Sequence, residues 1–226
     1  MNHWDKISLY QFQQIQVYNA KEDMSDMDKV LWSTCAVFGL TEFELNNMKL
    51  KKASRLINKM TLLFKETPSA DPQKKIGEYI LNYEPGTMTL GQYISLGHYL
   101  THDPIQNAHK VLATISSPYN PDGQETRSDY FLKQAITKIL GTIKLFSEKF
   151  LSFNKEYKNL FGLGTGDGET DPFHKRFGWI SSAVRIANHN IISLDEAYGL
   201  PVRQAFNDLA YLKAKDIYDE KQFKKK

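Results

Sequence analysis

The sequence has little cysteine, little net charge and no long apolar run. Cys35 is the only cysteine in 226 residues, so no disulfide can form within the chain, and we expect a buried, inert thiol. No stretch approaches the roughly 18 consecutive apolar residues of a membrane-spanning helix. The first ten residues lack the basic start and apolar run of a signal peptide, so we expect folding in a cytoplasm.

Recognisable catalytic and cofactor-binding motifs are also missing. Glycines alternate from Gly162 to Gly168, but no Lys-Ser/Thr pair follows them, as a phosphate-binding loop requires. His98, His102 and His109 have suggestive spacing, but Asp103-Pro104 should break a helix between them. We therefore predict no catalytic, cofactor-binding or metal site, and a protein that is not an enzyme.

What is present is an ordinary globular composition with an uneven distribution of charge. Hydrophobic residues make up 41% and charged residues 24%, and the net charge of +3 is too small to indicate nucleic-acid binding by itself. Residues 49–75, however, contain eight basic and two acidic side chains. Residues 213–226 contain six basic and three acidic side chains.

Capping signals and apolar spacing predict several helices. Ser8 opens one helix, and Ser25 and Gly39 bound a second. Thr41 and Glu44 form the pattern of a capping box, and Ser193 with Glu196 would form another. Near the C-terminus, Pro201 opens a last helix with apolar residues at 202, 205, 206, 209 and 212.

The helix predicted for residues 50–64 is strongly amphipathic. Its basic residues lie away from its apolar stripe, which leaves two interpretations open: a solvated face, or a contact surface for an acidic partner or DNA. The candidate contact residues are Lys51, Lys52, Arg55 and Lys59.

A second apolar pattern has the a/d spacing of a heptad repeat. It predicts one helix from about Arg127 to Phe161, roughly 50 Å long at ~1.5 Å per residue, that Gly141 should weaken or bend. Two interpretations stay open: the spine of an intramolecular bundle, or a rod that contacts another subunit. The candidate interface residues are Leu132, Ile136, Ile139, Ile143, Phe146, Phe150 and Phe153.

A β-hairpin is predicted among these helices. Residues 76–83 are rich in aromatic and β-branched side chains, and Pro85-Gly86 offers a turn, so the second arm should begin near Met88. The predicted fold is mainly α: a helical bundle with one long spine helix and a small β-hairpin insertion. Its segments are 1–66 (helical), 67–161 (hairpin and long helix) and 162–226 (Gly-rich linker and C-terminal helices), in one compact domain.

Three stretches carry a resemblance to a known group of proteins. They are residues 4–14 (WDKISLYQFQQ), 88–95 (MTLGQYIS) and 194–213 (LDEAYGLPVRQAFNDLAYLK). Together they resemble elements of small structural and assembly proteins of tailed bacteriophages, especially crAss-like phages. The stretches cover about a sixth of the chain.

The resemblance implies a non-enzymatic virion component, a ring or adaptor protein of the portal–tail connector. Its partners would be further copies of itself, the portal and neighbouring ring or tail proteins, with non-specific DNA contact possible and no membrane. It would be assembled in the bacterial cytoplasm and would need no cofactor. The resemblance also leaves open a tail-assembly chaperone, which binds a partner only transiently, and a packaged cargo protein.

Overall fold

A computed structural model describes residues 3–68, 70–117, 121–157, 160, 172–188 and 193–224. Helices dominate this part of the chain, and a small antiparallel sheet interrupts them, which confirms the mainly α fold with a small β insertion. The helices are α1 (Leu9–Asn19), α2 (Asp26–Phe38), α3 (Glu42–Asn46), α4 (Leu50–Phe64), α5 (Leu90–Thr101), α6 (Ala108–Ile115), α7 (Gln124–Leu132), α8 (Leu140–Glu156), α9 (Pro172–Ile186), α10 (Leu194–Gly199) and α11 (Val202–Phe223). The strands are β1 (Lys75–Ile76), β2 (Tyr79–Leu81) and β3 (Ser116–Ser117).

The chain divides into two compact units. The first comprises Met1–Asn82 and His102–Leu145, and the second Tyr83–Thr101 and Phe146–Lys226. Each unit therefore combines stretches that are distant in sequence. The division differs from the three consecutive segments expected within a single domain, because the contacts that define a unit do not follow chain order.

Local capping in the first unit follows the sequence signals. The Ser8 hydroxyl accepts a hydrogen bond from the Gln11 amide, and the Ser8 amide donates one to Gln11 Oε1, which completes a capping box. Ser25 caps α2, and Gly39 ends it in the left-handed conformation with φ of 63°. Such caps typically contribute about 1 kcal/mol each because they satisfy amides that the helix leaves free.

The capping box predicted at Ser193 is absent. Ser193 has φ of −90° and ψ of 10°, outside the extended conformation of a capping residue, and its side chain makes no capping hydrogen bond to α10. In contrast, α11 begins directly after Pro201, as predicted, and it buries Val202, Ala205, Phe206 and Leu209.

The hairpin exists, but its turn and its partner strand differ from the prediction. A two-residue turn at Gly77-Glu78 joins β1 to β2, with Lys75 opposite Ile80, and Gly77 supplies a φ of 61°. The third strand is β3, which places Ser116 opposite Leu81. No second arm begins at Met88: its carbonyl oxygen accepts a hydrogen bond from the amide of Val202.

The single long helix is wrong as predicted. The start of the predicted helix belongs to α7, which ends at Leu132. A short 3-10 turn spans Ile136–Lys138, and α8 begins only at Leu140. The break arises because this backbone pairs with the N-terminal segment: the Leu9 amide donates to the Gln134 carbonyl and the Ile136 amide to the Ile7 carbonyl, each at 2.8 Å. Backbone groups engaged in strand-like pairing are not available for helical hydrogen bonds. The predicted end at Phe161 lies outside the described residues.

Each unit has its own apolar core. Fully buried side chains of the first unit include Leu9, Ile15, Met60, Ile76, Leu112 and Phe131. Those of the second include Leu90, Leu96, Phe146 and Phe206. Among the helices described, none is both long and apolar enough to cross a membrane.

Candidate functional site

Most of the predicted interface stripe is core. Ile136, Ile139 and Phe146 are 0% exposed, and Ile143, Phe150 and Phe153 are also buried, whereas Leu132 is half-buried. Side chains already covered by their own chain cannot form a subunit contact without local unfolding. The burial of these side chains favours the alternative of an intramolecular core, and the subunit-contact interpretation stays a prediction.

Tyr93 is the centre of an aromatic cluster in the second unit. Its ring stacks on Phe150 at a centroid distance of 4.8 Å and meets the rings of Phe206 at 5.0 Å and Trp179 at 5.7 Å edge to face. The hydroxyl donates a hydrogen bond to Asn154 Oδ1. Burial raises the pKa of Tyr93 far above its usual range, so the phenol stays protonated. This arrangement serves packing rather than acid–base chemistry.

By residue type, the described histidines and the single cysteine are candidate metal ligands and nucleophiles. Among the described residues, no set of three or more His, Cys, Asp or Glu side chains could hold a metal ion. Cys35 is buried, and burial followed by the nearby carboxylates of Glu42 and Glu44 raises the pKa of its thiol. A thiol with a raised pKa is a poor nucleophile. The Gly-rich loop from Gly162 to Gly168 lies outside the described residues.

The four basic residues predicted as contacts form one exposed surface on α4, which we call the basic face: Lys51, Lys52, Arg55 and Lys59. The buried residues of the same helix, Met60 and Leu63, define its inner side. Within the part of the chain that the structure describes, none of the four basic groups forms an ion pair. No acidic residue occurs between residues 49 and 65 to offset them.

The basic face is electrostatically unfavourable for the isolated helix. Lys51 and Lys52 lie in the first turn of α4, at the positive end of the helix dipole, and no side chain caps that end. Lys51, Arg55 and Lys59 also repeat every four residues, which places like charges side by side. Each effect costs only a few tenths of a kcal/mol. Both would be relieved by a negatively charged partner.

A second surface, which the sequence interpretation missed, lies on α11. Tyr211, Ala214 and Tyr218 are spaced by three and four residues, so they share one side of the helix, with Ile217 beside them; we call these four residues the outer face. Tyr211 is 68% exposed and Tyr218 is 62% exposed. The 3-4 spacing was visible in the sequence, but periodicity alone does not tell which apolar side of a helix is covered.

The outer face belongs to a helix that is otherwise held in place. The first half of α11 is anchored by buried side chains such as Phe206, and its second half is tied to α9 by an ion pair between Arg185 and Asp216. The exposed tyrosines are therefore presented on a helix that the rest of the second unit orients.

Comparison with known proteins gave no match: no family model, no curated protein and no solved structure is similar to this chain.

Proposed function

We propose that this chain is a non-enzymatic structural component of a tailed-phage virion. It would be a ring or adaptor protein of the portal–tail connector, whose copies assemble through contacts between helices. The observation that carries the assembly role is the outer face of α11, while the phage setting comes from the resemblance of residues 4–14, 88–95 and 194–213. The partners would be further copies of the chain, the portal and neighbouring ring or tail proteins.

The outer face has the composition of a protein-binding surface. Tyrosine is enriched at interfaces because its ring buries a large apolar area while its hydroxyl keeps a hydrogen bond. Tyr211, Ile217 and Tyr218 adjoin one another on an ordered helix, which differs from single scattered apolar side chains. A helix from another subunit, packed along α11, would cover them.

A second candidate, a virion protein that contacts packaged DNA, is favoured by a different observation. The basic face of α4 offers four exposed cations without described acidic partners. Contact with the phosphate backbone would be independent of sequence and sensitive to salt, since each neutralised phosphate releases about 0.9 counterions.

The presence or absence of the protein in mature phage particles tests the virion proposal. Particles of the phage that encodes this chain would be purified and analysed by quantitative mass spectrometry. We expect several copies per particle, in a fixed ratio to the portal. Absence from mature particles, with presence in infected cells, would contradict the proposal and indicate a tail-assembly chaperone.

The outer face is tested separately with a double variant, Tyr211→Gln and Tyr218→Gln. Glutamine is a good helix former, so α11 should persist while its aromatic surface is lost. We expect self-association, or binding to the portal, to weaken by at least about tenfold in sedimentation velocity experiments. The matched control is Phe43→Gln with Leu151→Gln, which removes two other exposed apolar side chains. Equal loss in both variants would contradict a specific role for α11.

A further inference from the structure

The first unit carries an acidic surface as well as the basic one. Four exposed carboxylates occur within seven residues at the connection between α1 and α2: Glu22, Asp23, Asp26 and Asp28. We call this segment the acidic turn. None of the four forms an ion pair with a described residue. Asp28 accepts a hydrogen bond from the hydroxyl of Ser25, the residue that caps α2.

Among the described residues, no ion pair joins the acidic turn to the basic face of the same copy. The turn lies at the start of α2, whereas the exposed basic face lies on α4. α4 itself contacts α2. One copy therefore presents two exposed surfaces of opposite charge on different elements of the same unit.

We propose that the basic face of one copy docks onto the acidic turn of the next copy. The charges are complementary: four cations on one surface meet four carboxylates on the other. Because different surfaces of the two copies meet, the first copy keeps a free acidic turn and the second keeps a free basic face. Repetition of such a head-to-tail contact produces a ring when the rotation closes and a filament when it does not.

Exposed apolar side chains favour a protein partner over nucleic acid for this contact. Leu62 lies three residues after Lys59 and seven after Arg55, so it emerges within the basic face, and it is exposed. Met27 is exposed in the acidic turn in the same way. A phosphate backbone would leave Leu62 without an apolar neighbour, whereas a second copy can supply Met27. Apolar contacts surrounded by charges are typical of protein interfaces.

This inference rests on the proposed assembly role but uses different residues from the outer face of α11. The two contacts can therefore fail independently. If the α11 double variant loses association while the charge variants below do not, the assembly proposal stands and the docking proposed here is wrong.

A charge-swap experiment tests the contact. One variant reverses the basic face with Lys51→Glu, Lys52→Glu, Arg55→Glu and Lys59→Glu; the other carries Glu22→Lys, Asp23→Lys and Asp26→Lys. The first variant should fold, because glutamates in the first turn suit the helix dipole. Circular dichroism checks both folds, and sedimentation velocity at low and high salt measures association.

Each variant alone should lose self-association, by at least about tenfold in Kd, since like charges now face each other. An equimolar mixture should recover it, because every contact between the two variants again pairs opposite charges. Association of the wild type should weaken with added salt, as screening shortens the range of exposed charges to about 10 Å at 0.1 M.

Three results would overturn the proposal. The first is a wild type that stays monomeric, and the second is association that neither variant changes. The third is loss in both variants without recovery in the mixture. Loss of duplex-DNA binding in the first variant, with self-association unchanged, would assign the basic face to nucleic acid instead.

Discussion

Gly141 lies against the backbone of Ala70: a Cβ on residue 141 would be 2.1 Å from the Ala70 carbonyl oxygen. The following residue, Thr142, is buried and adds a second contact: its hydroxyl accepts a hydrogen bond of 3.0 Å from the Gln73 amide. Gly141 thus lets the segment after α4 cross the first turn of α8. The sequence suggested that this glycine weakens or bends a helix, whereas the structure gives it a packing role.

We expect Gly141→Ala to destabilise the protein. A methyl group cannot fit at that distance, so backbone must move, and such overpacking typically costs about 1–3 kcal/mol. The measurement is the free energy of unfolding from urea denaturation. Gly97→Ala is the matched control, because it lies within α5 and its Cβ would meet only Phe150 Cζ, at 3.8 Å. That change should be neutral or stabilising by up to about 1 kcal/mol. Equal effects at both sites would contradict the close approach.

We expect Phe146→Asp to unfold the protein or to destabilise it severely. Phe146 is 0% exposed on α8; truncating a buried Phe costs about 3–5 kcal/mol, and a buried unpaired charge adds to this. Thermal melting followed by circular dichroism measures the loss. Leu151→Asp on the same helix, where the side chain is 59% exposed, should change stability by less than about 1 kcal/mol. A Phe146→Asp variant that folds but no longer assembles would support the interpretation of the apolar stripe as a subunit interface.

The sequence predicted best those features whose partners are near in the chain. Ser8, Ser25 and Thr41 cap their helices through residues only three positions away, so the pattern contains the whole interaction. The amphipathic helix α4 followed from its spacing for the same reason. The basic face was placed correctly on its exposed side, although its partner stays a proposal.

Features that depend on distant contacts were missed. The break between α7 and α8 arises because Ala135 pairs with Ser8, more than a hundred residues away, and the heptad spacing continues through the break without a signal. Likewise, β2 pairs with Ser116 and Ser117 rather than with the residues after the Pro85 turn. Whether a side chain such as Tyr218 is buried or exposed also depends on tertiary contacts, which the spacing of apolar residues does not contain.

We expect the thiol of Cys35 to react slowly with a disulfide reagent in the folded protein. The side chain is 6% exposed, and burial and the two glutamates of α3 raise its pKa, so little thiolate is present near pH 8. The rate should be at least about tenfold lower than for the urea-unfolded chain, which serves as the accessible control. Comparable rates in the two states would show that the thiol is accessible and contradict its burial.

The last prediction concerns a buried polar network between α1 and α6. Gln13 is buried, and its Nε2 donates hydrogen bonds to the carbonyls of Ile105 at 2.9 Å and Gln106 at 3.0 Å, and lies 3.4 Å from His109 Nδ1. Burial and then the neighbouring Lys110 lower the pKa of His109, against a weaker opposite effect of Asp129. His109 is therefore held neutral in the folded protein.

The sign of the resulting pH dependence follows from linkage. In the unfolded chain His109 has its usual pKa of about 6.5, so it binds a proton more readily there than in the folded protein. The contribution of the neutral imidazole to stability is therefore complete above that pKa. This contribution to stability decreases as the pH falls from the pKa of the unfolded state toward the lower pKa of the folded state.

We expect the urea midpoint of the wild type to decrease between about pH 7.5 and pH 5.5 by more than that of a His109→Gln variant, which cannot titrate in this range. Glutamine is neutral and keeps hydrogen-bonding capacity beside Gln13, so the variant should fold and give the nearly pH-independent reference for this site. His98→Gln is a second control, since it removes a histidine of the other unit. That substitution leaves the contacts between Gln13 and His109 intact. Parallel curves for wild type and His109→Gln would show that His109 protonates as easily in the folded protein as in the unfolded chain, and would contradict its burial within this network.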